Sequence, residues 1–189
     1  NKIMRQRNRV LKEIRGGRGN SYAYQLEAWD KQLAEAGSYL IYKRREVIKK
    51  LSLLARLQHR KIAGEGEHLT LGYRSSLKIE KAMERENIEK NFLNGLKDVK
   101  KEEVKMGTTL IGPHRDELEI NINGKAAKVF ASQGQQRTAV LSLKLSEVEL
   151  IKGEMGTYPL LLLDDVFSEL DELRKDRLLE LIRGKVQAF

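Results

Sequence analysis

An α/β fold with a basic, mostly helical region is predicted by three features of the sequence. Residues 22 to about 62 contain no proline and repeat apolar residues at heptad spacing. From residue 108 the texture changes to short strand-like runs separated by turn signals. The run PLLLLDD, residues 159–165, is four leucines ending in two carboxylates. That is the pattern of a strand buried on both faces in a parallel sheet, with acids at its carboxyl end.

The elements follow in chain order. NKIMRQRNRVLKEIR reads as a basic amphipathic helix, and GGRGN at residues 16–20 as a loop. Leu26, Leu33, Leu40, Val47 and Leu54 then recur every seventh residue, with Trp29, Ala36 and Leu57 on the adjoining position. This helical seam belongs to two helices, or to one long helix broken near Gly37 and Ser38. LTLGYRSS, residues 69–76, alternates like a strand, and residues 79 to about 96 are rich in Glu, Lys and Arg and read as a helix. TTLIGPHRDELEININGKAAKVF predicts two strands joined at Asn123 and Gly124, a hairpin turn pair. SQGQQRTAVLSLKL opens a helix, PLLLLDD is the next strand, and residues 172–182 form a last helix. The expected division places the helical region at 1–107 and the α/β part at 108–189.

Composition narrows the function classes. The chain has 189 residues and no cysteine, which excludes disulfide scaffolds and thiolate metal sites and fits a reducing cytosol. No apolar run approaches the roughly 20 residues of a membrane span, and no signal-peptide core is present. The formal charge is +9, and it is uneven. Residues 1–62 hold 16 Lys and Arg against 5 Asp and Glu, whereas residues 102–189 hold 12 against 15. Arg5, Arg7, Arg9, Lys12, Arg15 and Arg18 form one basic group, and Lys43, Arg44, Arg45, Lys49 and Lys50 another. Such groups suit phosphate-backbone binding without base readout; the alternative is a solvated helical surface.

The stretch SQGQQR places a glycine-containing turn at the start of an apolar helix. The first N–H groups of a helix lack partners and favour an anion, and a glycine lets a phosphate approach closely. Ser132 offers a hydroxyl, Gly134 removes a Cβ, and Gln135 adds a neutral hydrogen-bonding group. An ordinary serine N-cap on a core helix is the other reading. Asp164 and Asp165, adjacent at a strand end, suit a cation or a titration role better than a bare surface.

These residues carry a family resemblance. SQGQQR resembles the signature motif of ATP-binding-cassette ATPases, LLLLDD resembles Walker B, and SELD resembles the D-loop. With GPHRDEL before them, with QRN at residues 6–8, and with Trp29, Gln32, Leu33 and Gly37, the chain is similar to the RecF family of SMC-like heads over nearly its whole length. The resemblance implies a partial ABC-ATPase head joined to an inserted basic, mostly helical region. It implies that Ser132, Gln133, Gly134 and Gln135 contact ATP held by a second protomer of a homodimer. In cis, Asp164 holds Mg2+, Asp165 acts as the catalytic base and Asp171 belongs to the D-loop. It further implies binding of duplex DNA at single-strand gaps, with Arg5, Arg7, Arg9, Lys43, Arg44 and Arg45 as candidate contacts. RecR, with RecO, is the implied partner, RecA loading the outcome and the cytoplasm the location.

Two departures qualify this. ATP-binding-cassette proteins generally carry glutamate where Asp165 stands, although RecF proteins share the aspartate. No G-x-x-x-x-G-K-[ST] occurs: Gly124-Lys125 is followed by Ala126, and Gly184-Lys185 by Val186. The expectation is therefore a fragment lacking the N-terminal Walker A segment and inactive alone as an ATPase. Another ABC or SMC-type head, or a helical interaction module without nucleotide, are the alternative readings. His114 and Arg115 face a ligand or close a turn after Pro113. Arg137 reaches a phosphate or balances the helix face. His59, His68 and His114 lack metal-ligand spacing.

Overall fold

The computed structural model describes residues 2–17, 19–80, 83–163 and 170–183, with backbone alone at 19–21. Its elements are α1 (Lys2–Arg15), α2 (Gly19–Ala63), β1 (Leu69–Arg74), α3 (Arg85–Met106), β2 (Glu117–Ile122), β3 (Lys125–Ala126), α4 (Ala127–Phe130), α5 (Gln133–Met155) and α6 (Glu172–Ile182). The fold is mixed but mostly helical, with one three-stranded sheet in the order β1-β2-β3. The chain divides into two compact units, Asn1–Glu46 with Tyr73–Glu117, and Val47–Gly72 with Leu118–Phe189. Each unit draws on both sides of the 107/108 boundary, and α2, β1 and β2 supply residues to both.

Helix α2 is a single helix of 45 residues, without the break anticipated at Gly37 and Ser38. Gly37 serves packing instead: a Cβ there would run into the ring of Phe92. The heptad seam is followed only at its start. Leu26 and Leu33 are buried, but Leu40 and Val47 are 47% and 40% exposed, and burial moves one position along to Ala34, Ile41, Ala55 and Ile62. The cause is helical pitch. In a straight helix a heptad position rotates by about 20° per repeat, and only a supercoiled partner would hold the seam in place.

In the first unit Leu33, Ala34 and Ile41 pack with Leu77, Ile88, Phe92, Leu96 and Ile111. Beside them Val10 and Leu11 of α1 bury with Leu26, and Trp29 lies partly buried against that group. Helix α3 begins at Arg85, later than predicted, because Leu77 and Ile79 already reach the core from the non-helical chain before it. It ends at Gly107, whose φ of 68° caps it in the left-handed region.

In the second unit Asn123 and Gly124, at φ 50° and 75°, turn β2 into β3 with Asn121 opposite Ala126 and Ile122 opposite Lys125. Both central residues need positive φ, hence the Asn-Gly pair. The second strand stops after two residues rather than reaching Phe130. Ala127 turns into the core beside Ala55, Leu69, Ile122 and Ala139, while Val129 and Phe130 are each 69% exposed. Helix α5 and helix α6 close a second core around Ile62, Leu141, Leu145, Leu161, Leu170 and Leu178. The strand predicted at 159–165 is reduced to a single bridge at Leu161 among the described residues. Leu161 is buried, but Leu160 and Leu162 are 57% and 71% exposed, so only one face of this run is covered by them.

Candidate functional site

Ser132 caps α5 from extended backbone. Its hydroxyl oxygen accepts the Gln135 N–H at 3.2 Å, and the Gln135 Oε1 accepts the Ser132 N–H at 3.0 Å. This is a reciprocal capping box. Gln133 and Gly134 are the first two residues of the helix, so their N–H groups have no carbonyl partner within it, and they make no hydrogen bond among the described residues. They are the donors left for an anion.

Gly134 is not demanded by the fold. It lies outside the positive-φ glycines, and the nearest atom to a Cβ built there is Arg174 Nη1 at 3.9 Å. Gly134→Ala is therefore expected to leave the fold intact or stabilise it by up to about 1 kcal/mol, the helical preference of alanine over glycine. Urea denaturation of the two proteins checks this.

Behind the turn lies a polar cluster that sequence reading missed. Asp171 caps α6 by accepting the Arg174 N–H at 2.9 Å, and its other oxygen lies 3.2 Å from Arg174 Nε. Arg174 Nη1 donates to Thr138 Oγ1 at 2.6 Å and to the Gly134 carbonyl at 3.2 Å, and Nη2 donates to Glu67 Oε1 at 3.0 Å. Thr138 donates to the same Gly134 carbonyl at 2.8 Å. His59 completes the cluster, with Nδ1 3.1 Å from the Ser142 hydroxyl and Nε2 3.3 Å from Glu67 Oε2. That second pair is within ion-pair reach but misaligned for a hydrogen bond, which leaves both atoms unsatisfied. Burial pushes the imidazole below its ordinary value and Arg174 adds to this, against the opposing carboxylate of Glu67. Nothing local in the sequence marks these residues, because Glu67 and Arg174 are 107 positions apart.

The remaining predicted residues fall in several places. Asp164 and Asp165 lie outside the described residues. Arg7 is a correction: it is fully buried, with Nε 2.7 Å from Asp30, Nη2 2.5 Å from Glu103 and Nη1 2.8 Å from Thr109, and it offers nothing to a DNA phosphate. Arg5 and Arg9 are exposed on α1, on the same side as the exposed Lys2 and Lys12. On α2, Lys43 pairs with Glu46 at 2.8 Å, Arg44 donates to the Pro113 carbonyl and Arg45 to that of Glu80. In GPHRDEL, His114 and Arg115 both converge on the Thr109 carbonyl, at 3.2 and 3.4 Å, which closes a turn. Asp116 accepts from the Ser76 N–H and hydroxyl and from Tyr73, whose phenol is raised above its ordinary value by burial and by that carboxylate.

No protein-family model matches the chain. Individual proteins do. It is 50% identical over its whole length to the DNA replication and repair protein RecF of Natranaerobius thermophilus, and 51% identical to that of Halothermothrix orenii, covering 50% of each. Among solved structures, that of the recombination mediator protein RecF-ATP in the RecFOR pathway matches all of the chain with a TM-score of 0.86 and 38% identity, over 49% of its own length. A second, of RecF-ATPrS, gives 0.87 and 37%, over 50% of its length. The chain spans about half the length of the relatives it matches.

Proposed function

We infer that the chain belongs to the RecF family and acts, within a RecF-type protein, as part of an ATP-dependent recombination mediator in DNA repair. The observation that carries this is the exposed, glycine-containing turn of α5 in a chain matching RecF-ATP over its whole length. In this reading Gln133 and Gly134 donate their free N–H groups, and Ser132 and Gln135 their side chains, to the phosphates of ATP held by a second protomer. Asp171 stands beside them as the D-loop acid. The adjacent carboxylates supply the hard oxygen donors that Mg2+ takes, with Asp164 as its ligand. Mg2+, when bound, neutralises phosphate charge. Asp165 orients and deprotonates the attacking water, from a side chain one methylene shorter than glutamate.

Residues 108–189 then form the C-terminal part of the head and 1–107 the inserted basic region. Duplex DNA beside a single-strand gap is the nucleic-acid partner, with RecR and RecO as protein partners and RecA loading as the outcome. Arg5 and Arg9 remain candidate contacts, as do Lys43, Arg44 and Arg45. Among the described residues no helix is long and apolar enough to cross a membrane, in keeping with a cytoplasmic role.

The test is Ser132→Arg in a full-length RecF-type protein carrying this sequence. A bulky side chain in the turn is expected to abolish ATP-driven pairing in sedimentation while ATP binding to the separate protomer is kept. A variant that pairs on ATP like its parent removes this turn from the interface.

A further inference from the structure

We infer that Arg174 is the positioning residue of the α5 turn, holding Gly134 in place from the first turn of α6. The inference rests on the nucleotide role proposed for that turn and adds a residue to it. The Arg174 guanidinium reaches three parts of the chain at once: the Gly134 carbonyl and the Thr138 hydroxyl on α5, Glu67 in the connection after α2, and Asp171 at the cap of its own helix. The guanidinium is mostly buried, with 17% of the side chain exposed, and Glu67 is similarly enclosed at 15%. A planar fork with five donors is suited to such a junction, and a lysine ammonium is not.

Geometry gives this junction its consequence. The Gly134 carbonyl and N–H lie in successive peptide planes joined at its Cα, and the helical geometry of α5 couples them, so restraining the carbonyl restrains the N–H. The capping box fixes Ser132 and Gln135 to each other but ties neither to the rest of the unit. Arg174 supplies a tie to α6 and Glu67, while the Gln136 amide ties the turn to the Ala127 and Ala131 carbonyls at 3.2 and 3.1 Å. Arg174 also draws on Asp171, so the acid expected in the D-loop and the turn expected to meet a second protomer's ATP are joined through one side chain. Glu67 balances the guanidinium charge, with its Oε1 accepting from Arg174 Nη2 at 3.0 Å.

Arg174→Met and Arg174→Lys in the full-length protein test this by two readouts. The first is amide hydrogen exchange, which needs no nucleotide. Exchange at Gln135 and Gln136, whose N–H groups are bonded to the Ser132 hydroxyl and carbonyl, is expected to rise about 10-fold or more in both variants, the scale of one lost charged hydrogen bond, while the far end of α5 stays as in the parent. Lysine keeps the charge beside Glu67 and protects against simple unfolding. Unchanged exchange at the turn overturns the inference, as does a rise spread evenly over the unit, which marks Arg174 as merely structural. The second readout is ATP-driven pairing, expected to weaken about 10-fold or more at unchanged ATP affinity of the separate protomer. A parent that pairs and variants that pair equally well overturn the positioning role. A parent that fails to pair on ATP, with the exchange rise present, sinks the nucleotide reading and leaves the positioning of the turn supported.

Discussion

Replacing Arg7 with methionine is expected to cost the first unit about 3–5 kcal/mol, the scale of breaking a buried ion pair by removing one partner. Arg7 and Glu103 are both fully buried and lie 2.5 Å apart, with Asp30 and Thr109 taking the other guanidinium nitrogens. The substitution leaves the Glu103 carboxylate in the core with, among the described residues, only the Leu110 N–H, at 2.8 Å, to answer it. An uncompensated charge there is worse than no charge. The double variant Arg7→Met with Glu103→Leu is therefore expected to recover much of the loss, since apolar groups of similar volume often replace a buried pair at little cost. Denaturant unfolding of single and double variants measures both effects. A single variant that loses under about 1 kcal/mol contradicts the burial argument.

In a full-length RecF-type protein, Asp165→Asn is expected to slow ATP hydrolysis by roughly 10²-fold or more while preserving the ATP-bound pair, as follows from losing a positioned general base. Asp164→Asn is expected to act differently, weakening Mg2+-dependent nucleotide retention because the metal loses an anionic ligand. The two aspartates are neighbours in sequence, but only one is proposed to touch the reacting water. Single-turnover hydrolysis and pair lifetime separate them. Hydrolysis by Asp165→Asn at the parental rate rules out its catalytic role even where the family assignment stands.

Much was legible in the sequence because it depends on local rules. Periodicity placed α1, the helical span of α2, β1 and α6, and the Asn-Gly pair placed the hairpin between β2 and β3. The serine before the apolar run at residues 132–145 allowed a capped helix as the alternative reading, and a reciprocal box formed, with Gln135 in a capping role that the sequence reading did not give it. The motifs in their order carry the RecF resemblance, and proteins 50% and 51% identical to the chain, about half of whose length it covers, bear that name. Even the burial of Arg7 was implicit, because Ile3, Arg7, Val10, Leu11 and Ile14 fall on one side of a helix and Lys2, Arg5, Arg9 and Lys12 on the other. Counting charge along the chain obscured what turning it at 100° per residue reveals.

Tertiary structure alone decided the rest. The seam on α2 depended on whether a supercoiled partner held it, and burial passed from Leu40 to Ile41. Gly37 looked like a breaker, but its meaning came from Phe92 on another helix. The cluster of His59, Glu67, Thr138 and Arg174 joins three separate stretches of chain, and no residue in it has a spacing that betrays the others. The physical reason is one of range. Helical pitch, caps and turns are set within about one helical turn of chain and so are written in order. A buried hydrogen bond between distant residues exists only after packing has excluded water and brought the partners within about 3 Å.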